Sequence, residues 1–289
     1  MNIPAKKLKT GFEMPVFGIG TWRMGGARER DLGNDDEADI AAIKAAMDLG
    51  VTHIDTAELY AGGHAETMIG SALEGRDRSK IFLVSKVKDD HFAYDGILRA
   101  CENSLKRLKT NYLDLYLLHW YSDEFPLKDS IRALDRLVEE GLVRNIGVSN
   151  FGIEHLAEAQ SHSAHKIVCD QVHYNLECRE PEASGLLEYC QTHDIFLVAY
   201  RPVGKGSLLQ QVPPVLQEMC EKYQKTPAQV AINWLISQPS VITIAKTRHM
   251  EHLQENLGAL DWEMRHEDIE SLRREYPGQQ KISDTVPLE

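Results

Sequence analysis

Ile81-Phe82-Leu83-Val84-Ser85-Lys86 is an almost unbroken apolar run ending on a lysine, and Leu113-Asp114-Leu115-Tyr116-Leu117-Leu118-His119 is another ending on a histidine. Between them Leu98, Cys101, Leu105 and Leu108 recur three and four positions apart, the spacing of one helix face. Short continuous apolar runs suit strands buried on both faces, as parallel sheets require. Strand, helix, strand therefore reads as a right-handed βαβ unit.

The same alternation extends in both directions. Strand-like runs lie at 16–20, 51–55, 143–149, 167–171, 195–200 and 241–244. Helical spacing fills the gaps: Ile40, Ile43 and Met47 before a stop at Gly50, and Ile131, Leu134 and Val138 before Gly141. Thr226-Pro227 opens a further helix, with proline where the first turn tolerates it. Eight such units fit a closed (β/α)8 TIM barrel better than an open sheet. The 289 residues also sit close to the roughly 250 of one complete barrel, so 1–289 is expected to be a single α/β domain. The ends read as additions. Segments 7–9 and 13–15 around Thr10-Gly11-Phe12 make an N-terminal β-hairpin able to plug the barrel floor, 263–276 an extra C-terminal helix, and 277–289 a polar tail.

A net charge of −12 argues against nucleic acid or an anionic membrane surface as partner. The opening Met1-Asn2-Ile3-Pro4-Ala5-Lys6-Lys7-Leu8 lacks the apolar stretch of a secretory leader, and no run approaches the length of a membrane span. The five cysteines (Cys101, Cys169, Cys178, Cys190, Cys220) are odd in number and widely spaced, which suits reduced thiols in a cytoplasmic protein. No long exposed apolar stripe stands out, so a monomer is expected.

Barrel chemistry gathers at the mouth, where strands end. Here each run ends in something polar: Thr21, Asp55, Lys86, His119, Ser149-Asn150, Gln171, Tyr200 and Lys246. Any one of these has a plain structural explanation, such as a snorkelling lysine or a rim histidine. A full ring of them is harder to explain that way. Four members make a reaction centre: Asp55, Tyr60 five residues later, Lys86 and His119. A free phenol titrates near ~10 and is a poor acid at neutral pH. The Lys86 ammonium would lower that value, with burial opposing it, and Asp55 would hold the ammonium charged. His119 would orient a substrate carbonyl, and Tyr60 would protonate the alkoxide left by an arriving hydride.

These residues stand in motifs. Gly18-Ile19-Gly20-Thr21-Trp22, His53-Ile54-Asp55-Thr56-Ala57-Glu58-Leu59-Tyr60, Ser85-Lys86 and Leu117-Leu118-His119-Trp120 come first in order. Gly147-Val148-Ser149-Asn150-Phe151, Gln171-Val172-His173-Tyr174-Asn175, Ala199-Tyr200-Arg201-Pro202, Ile244-Ala245-Lys246-Thr247 and Glu255-Asn256 follow. Together they resemble the aldo-keto reductases over nearly the whole chain. The resemblance implies nicotinamide-dependent, metal-free reduction of aldehydes and ketones. It places the family's tetrad on Asp55, Tyr60, Lys86 and His119. It also implies that Ser149, Asn150 and Gln171 hold the nicotinamide carboxamide while Tyr200 stacks on its ring. Further cofactor contacts are expected from Gly20, Thr21, Trp22, Arg201, Pro202, Glu255 and Asn256. The sequence departs from the family's habits at Arg201, where serine is frequent, at Ala245 and Thr247 in a segment usually reading Ile-Pro-Lys-Ser, and at His252 in place of an arginine.

The segment 246–252 is unusually basic for so acidic a chain. Lys246, Thr247 and Arg248 precede a helix beginning near Met250, and such a loop suits a ribose 2′-phosphate. NADPH/NADP+ is therefore expected ahead of NADH, with His252 adding a pH dependence. No strand–GxGxxG–helix unit is present, which argues against a Rossmann enzyme. Trp22, Tyr60, His119 and Trp120 are expected to meet a small-molecule carbonyl substrate, with 23–34 and 121–127 as lids and a tail too short to enclose it. Two rival readings remain at this level. One is a nicotinamide-binding regulatory subunit on the same barrel. The other is a different barrel enzyme, with Lys86 as a Schiff-base lysine or Glu58 and Glu66 as paired carboxylates.

Overall fold

The structure, a computed structural model, describes residues 3–288; Met1, Asn2 and Glu289 of the terminal segments discussed above lie outside the described residues. All eight expected strands form, within a few residues of the apolar runs: β3 (Phe17–Gly20), β4 (His53–Asp55), β5 (Phe82–Val87), β6 (Leu115–Leu118), β7 (Ile146–Ser149), β8 (Ile167–His173), β9 (Phe196–Tyr200) and β10 (Val241–Ala245). They pair in parallel and in chain order, and β10 pairs with β3 to close the barrel. Register sets the rim: Gly20 lies opposite Asp55, and Lys86 opposite Leu117.

Two short strands, β1 (Ala5–Lys7) and β2 (Glu13–Pro15), form the antiparallel hairpin ahead of the barrel. It does plug the floor. Leu8 and Met14 join Val84, Leu115, Phe196 and Ile242 in one buried cluster, and the Phe12 ring lies 6.0 Å from those of Phe82 and Phe196. The Lys6 ammonium ties the hairpin down, donating to the carbonyls of Ile236 and Gln238, each at 2.6 Å, and of Val241 at 2.8 Å. One layer above, Gly18 leaves room for a side chain: a Cβ there would come within 2.5 Å of the His53 ring.

Helices pack outside each strand. On Tyr94–Leu108 the buried stripe is Ile97, Cys101, Leu105 and Leu108; Leu98, expected in that stripe, sits half-buried at its edge. Pro227–Ile236 opens with the reciprocal cap its sequence promises, Gln229 N–H donating to Thr226 Oγ1 and Thr226 N–H to Gln229 Oε1. The extra C-terminal helix spans His266–Glu275. The polar tail after it does not hang free. Gln280 exchanges backbone hydrogen bonds with Glu177 and Arg179 at 2.6 and 2.8 Å, and Ser283 N–H donates to Glu180 Oε2. Among the described residues no helix is long and apolar enough to cross a membrane, and all five cysteines are free thiols.

Candidate active site

Strand order brings Asp55 from β4 and Lys86 from β5 side by side at the rim. The Lys86 ammonium donates to Asp55 Oδ1 at 2.6 Å, to the Thr56 carbonyl at 2.8 Å and to the Tyr60 hydroxyl at 3.3 Å. The pair is dry, with side-chain exposures of 0% and 1%. Burial works against the ammonium, but the Asp55 carboxylate overrides it and the Lys86 pKa ends above the ordinary lysine value. The other carboxylate oxygen of Asp55 accepts from Gln171 Nε2 at 2.8 Å.

Tyr60 reaches this amine because the chain turns sharply just beyond it. Ala61 and Gly62 adopt left-handed conformations at φ of 52° and 61°. The phenol is buried between Trp22 and His119, with ring centroids 5.0 and 5.6 Å away, both edge-on. The expectation about its acidity needs correction. Lys86 does lower the phenol pKa, but burial is the larger effect and Asp55 adds to it, so the value lies above that of a free tyrosine.

His119 sits beside the phenol, its ring 4.5 Å from that of Trp120. Burial, then the charges of Lys86 and Arg28, push its pKa well below the ordinary histidine value, so the imidazole is neutral. Its Nδ1 is enclosed and has no hydrogen-bond partner among the described residues, leaving Nε2 as the nitrogen open to a ligand.

A second polar cluster adjoins the first. Asn150, at a left-handed φ of 59°, donates from Nδ2 to the His119 carbonyl at 3.1 Å and to Ser149 Oγ at 2.9 Å. Ser149 Oγ donates to the Gln171 carbonyl at 2.7 Å, and the Tyr200 hydroxyl to Asn150 Oδ1 at 2.8 Å. Thr21 closes the ring by donating to the Asp55 carbonyl from both N–H and Oγ1. Gly20 faces open space, with only Ile244 Cδ1 at 3.8 Å from a hypothetical Cβ. One face of the Tyr200 ring is already covered: His173 stacks on it at 5.5 Å and 5°, steadied by Ser283 of the tail at 2.9 Å.

The basic segment is less uniform than it reads in sequence. Lys246 is exposed and has no partner among the described residues. Arg248 is engaged: its guanidinium grips the buried Asp39 and also donates to the Arg23 carbonyl at 2.6 Å and Asn34 Oδ1 at 2.7 Å. Thr247 Oγ1 accepts from the His249 N–H at the entry to the helix Met250–Leu257. His252 is exposed on that helix, edge-on to His249, while Glu255 and Asn256 lie further along, half-buried and buried. Arg201 leans toward the tail, 3.7 Å from Asp284, and Pro202 is buried behind it. Glu58 and Glu66 do not face each other across a cleft. Glu58 accepts from the Lys88 N–H and meets His91, whereas Glu66 is held by Ser85 and Arg107.

Sequence reasoning missed Asp39, Asp170, Arg28 and the tail's contact with His173. Asp170 is buried beneath the Ser149–Asn150 turn, taking a long 3.5 Å hydrogen bond from the Phe151 N–H, with Oδ2 unpartnered among the described residues. An acid inside an otherwise apolar strand run was the available signal.

Known proteins match this arrangement along the chain. The Aldo/keto reductase family profile matches residues 16–276. Methylglyoxal reductase YeaE of Escherichia coli (strain K12) is 36% identical over 268 residues, covering 91% of this chain and 92% of its own. The thermostable aldo-keto reductase Tm1743, solved with the inhibitor epalrestat, superposes with a TM-score of 0.90 at 44% identity, covering 94% of this chain and 99% of its own. An aldo/keto reductase from Klebsiella pneumoniae, solved with NADP and acetate, gives a TM-score of 0.85 at 36% identity, with 99% of each chain covered. Sequence, barrel closure and rim chemistry agree, and the chain belongs to the aldo/keto reductase family.

Proposed function

We propose that this protein reduces aldehydes or ketones to alcohols with NADPH, and that Tyr60 supplies the proton. One observation carries the reading: the Lys86 ammonium, in a site closed to water, is shared by Asp55, the Thr56 carbonyl and the Tyr60 hydroxyl. An amine held charged against a phenol stabilises the phenolate that remains once the proton has gone. The phenol itself stays protonated at neutral pH because burial raises its pKa, so it is loaded as an acid. His119, neutral and with Nε2 open, can donate a hydrogen bond to the same carbonyl oxygen.

The residues present fit a nicotinamide. Its primary carboxamide needs an acceptor and a donor; Gln171, with one Nε2 hydrogen fixed on Asp55, offers Oε1 and its second N–H, and Asn150, whose two Nδ2 hydrogens go to the His119 carbonyl and Ser149 Oγ, offers the second lone pair of Oδ1 beside the Tyr200 hydroxyl. Ser149 lies between them, and the Tyr200 ring is stiffened from behind by His173. Reduced nicotinamide supplies a hydride when bound. The outer part of the cofactor falls to Gly20, Thr21, Trp22, Arg201, Pro202, Glu255 and Asn256, with Lys246, Thr247 and the helix after it suited to the 2′-phosphate. Methylglyoxal reductase activity in the E. coli relative and NADP in the Klebsiella structure support the same direction.

The test is a carbonyl panel assayed with NADPH and NADH, on wild type and Tyr60→Phe. The expected result is turnover with NADPH that falls by about 10³ in the variant, while NADPH binding, followed by fluorescence, is kept. Unimpaired turnover in Tyr60→Phe would remove Tyr60 as the acid. Tight NADPH binding by a wild type that turns nothing over would establish the regulatory reading instead.

A further inference from the structure

The tail beyond the last helix is built into the mouth. Gln280 forms a parallel bridge with Cys178, just after β8. Glu180, a buried acid two residues on, gives both carboxylate oxygens to the tail: Oε2 accepts from the Ser283 N–H at 2.8 Å and Oε1 from the Leu288 N–H at 3.1 Å. A buried carboxylate is costly unless its oxygens are hydrogen-bonded, so these bonds satisfy the acid and fix the path of the tail together. Ser283 is itself buried, and its hydroxyl meets the His173 ring at 2.9 Å.

His173, the last residue of β8, is held on both ring nitrogens, Nδ1 by Ser283 Oγ and Nε2 by Asn175 at 3.3 Å. Asn175 Oδ1 already accepts the N–H groups of Glu177 and Cys178, each at 2.8 Å, so the atom facing the ring is Nδ2, a donor. Nε2 therefore accepts, and the ring carries its proton on Nδ1 and donates it to Ser283. Burial keeps the imidazole neutral, lowering its pKa to about 4. The ring so fixed lies parallel to Tyr200, 5° between planes and 5.5 Å between centroids. The far end of Tyr200 is tied by its hydroxyl to Asn150 Oδ1 at 2.8 Å. The tail also engages the next residue: Arg201, 5.9 Å from the Tyr200 centroid, is bound by Thr285 and lies 3.7 Å from Asp284.

We propose that the C-terminal tail is a working part of the cofactor site: Ser283, acting through His173, sets the tilt of the Tyr200 ring and with it the fit of a nicotinamide against that ring. Ser283 and His173 are positioning residues, and neither touches the reacting atoms. The inference rests on the reading above of NADPH as cofactor and Tyr200 as its nicotinamide platform. None of the tail's contacts described here reaches the segment 246–256, to which that reading gives the 2′-phosphate. The tail therefore governs the nicotinamide half of the cofactor and leaves the adenosine half alone.

The test compares calorimetric binding of NADP+ with that of 2′-phospho-ADP-ribose, the same molecule without its nicotinamide, on the full chain. The variants are His173→Leu, Ser283→Thr and a double variant, Ser283→Ala with Asp284→Ala. Asp284 is included because its Oδ1 lies 3.6 Å from His173 Nδ1 and can take over the freed proton. His173→Leu and the double variant should each lose about fivefold in NADP+ affinity, the effect of one hydrogen bond, and bind 2′-phospho-ADP-ribose as wild type does. Their kcat for carbonyl reduction should fall while the carbonyl KM holds. Ser283→Thr keeps the hydroxyl and should match wild type. Joining His173→Leu to the double variant should add no further loss, because the tail acts through that ring; an added loss would route the effect through Arg201 and overturn the proposal. Equal weakening of both ligands, which a merely structural tail would give, or unchanged NADP+ affinity overturns it too, and carbonyl turnover by wild type then leaves the reductase reading standing. A wild type that reduces no carbonyl with either cofactor overturns that reading, and one that binds both ligands alike removes Tyr200 as the platform and this proposal with it.

Discussion

The guanidinium of Arg248 is closed on the carboxylate of Asp39, Nε to Oδ1 at 2.5 Å and Nη2 to Oδ2 at 2.9 Å. Asp39 is fully buried and also accepts from the Gly25 N–H at 3.0 Å and Asn34 Nδ2 at 2.8 Å. The most forked donor of the basic segment thus joins the loop after β10 to the loop after β3. Removing it strands a buried acid.

Cofactor choice should follow from that division. Lys246 is free to meet a 2′-phosphate, and Arg248 is largely committed. Lys246→Ala is expected to cut the NADPH-over-NADH preference by about tenfold, the effect of one charge-assisted contact. Arg248→Ala should instead lower stability by roughly 3 kcal/mol, because a buried carboxylate is left unpaired. Kinetics with both cofactors and urea melts separate the two. A collapse of NADPH preference in Arg248→Ala with stability unchanged would reverse the assignment.

The pH profile of reduction should be flat across neutrality. Burial keeps the Tyr60 phenol protonated beyond the ordinary tyrosine range, and burial with two cations keeps His119 neutral well below the ordinary histidine range. Neither group therefore changes charge between about pH 7 and pH 9. With Tyr60 as the proposed acid, the reverse oxidation of an alcohol would need its phenolate, so that rate should still be rising at about pH 10. A break in reductive kcat/KM near ~6.5 that disappears in His119→Gln would show the imidazole titrating after all.

The ion pair between Lys86 and Asp55 separates stability from chemistry. Lys86→Met leaves a dry carboxylate and is expected to lose about 3 kcal/mol of stability along with activity. Adding Asp55→Asn removes the orphaned charge and keeps an acceptor for Gln171, so stability should largely return. Activity should not. Recovery of both would mean that the amine serves only to hold the barrel rim.

Much of this was legible in the chain because each part was local. Apolar runs located all eight barrel strands, and their C-terminal ends located Asp55, Lys86 and His119, since parallel barrel strands all end at the mouth. What escaped depended on partners far apart in sequence. Arg248 reads as a free cation until the fold brings Asp39, 209 positions away, against it. The acidity of Tyr60 depended on whether burial or an ammonium dominates, and composition does not carry burial. The tail reads as spare polar chain, yet Ser283 reaches His173 across 110 positions to steady the back of Tyr200.

Asp170 supplies a test of how burial is managed under the Ser149–Asn150 turn. Burial pushes its carboxyl up to about 8, with backbone N–H groups of Phe151 and Asn150 opposing only in part. The folded pKa lies above the unfolded one of 3.8, so between these values the folded chain holds a proton that the unfolded chain has released. Stability from this group is therefore full below about pH 4 and falls by roughly 1.4 kcal/mol per pH unit until about pH 8. Asp170→Asn keeps an oxygen acceptor for the Phe151 N–H and carries no proton to lose. Urea melts should show the variant level with wild type near pH 4 and ahead by about 5 kcal/mol at pH 8. Parallel curves for the two proteins across that range would mean the carboxyl is ionised in place, and that the turn carrying Asn150 rests on a charged rather than a neutral acid.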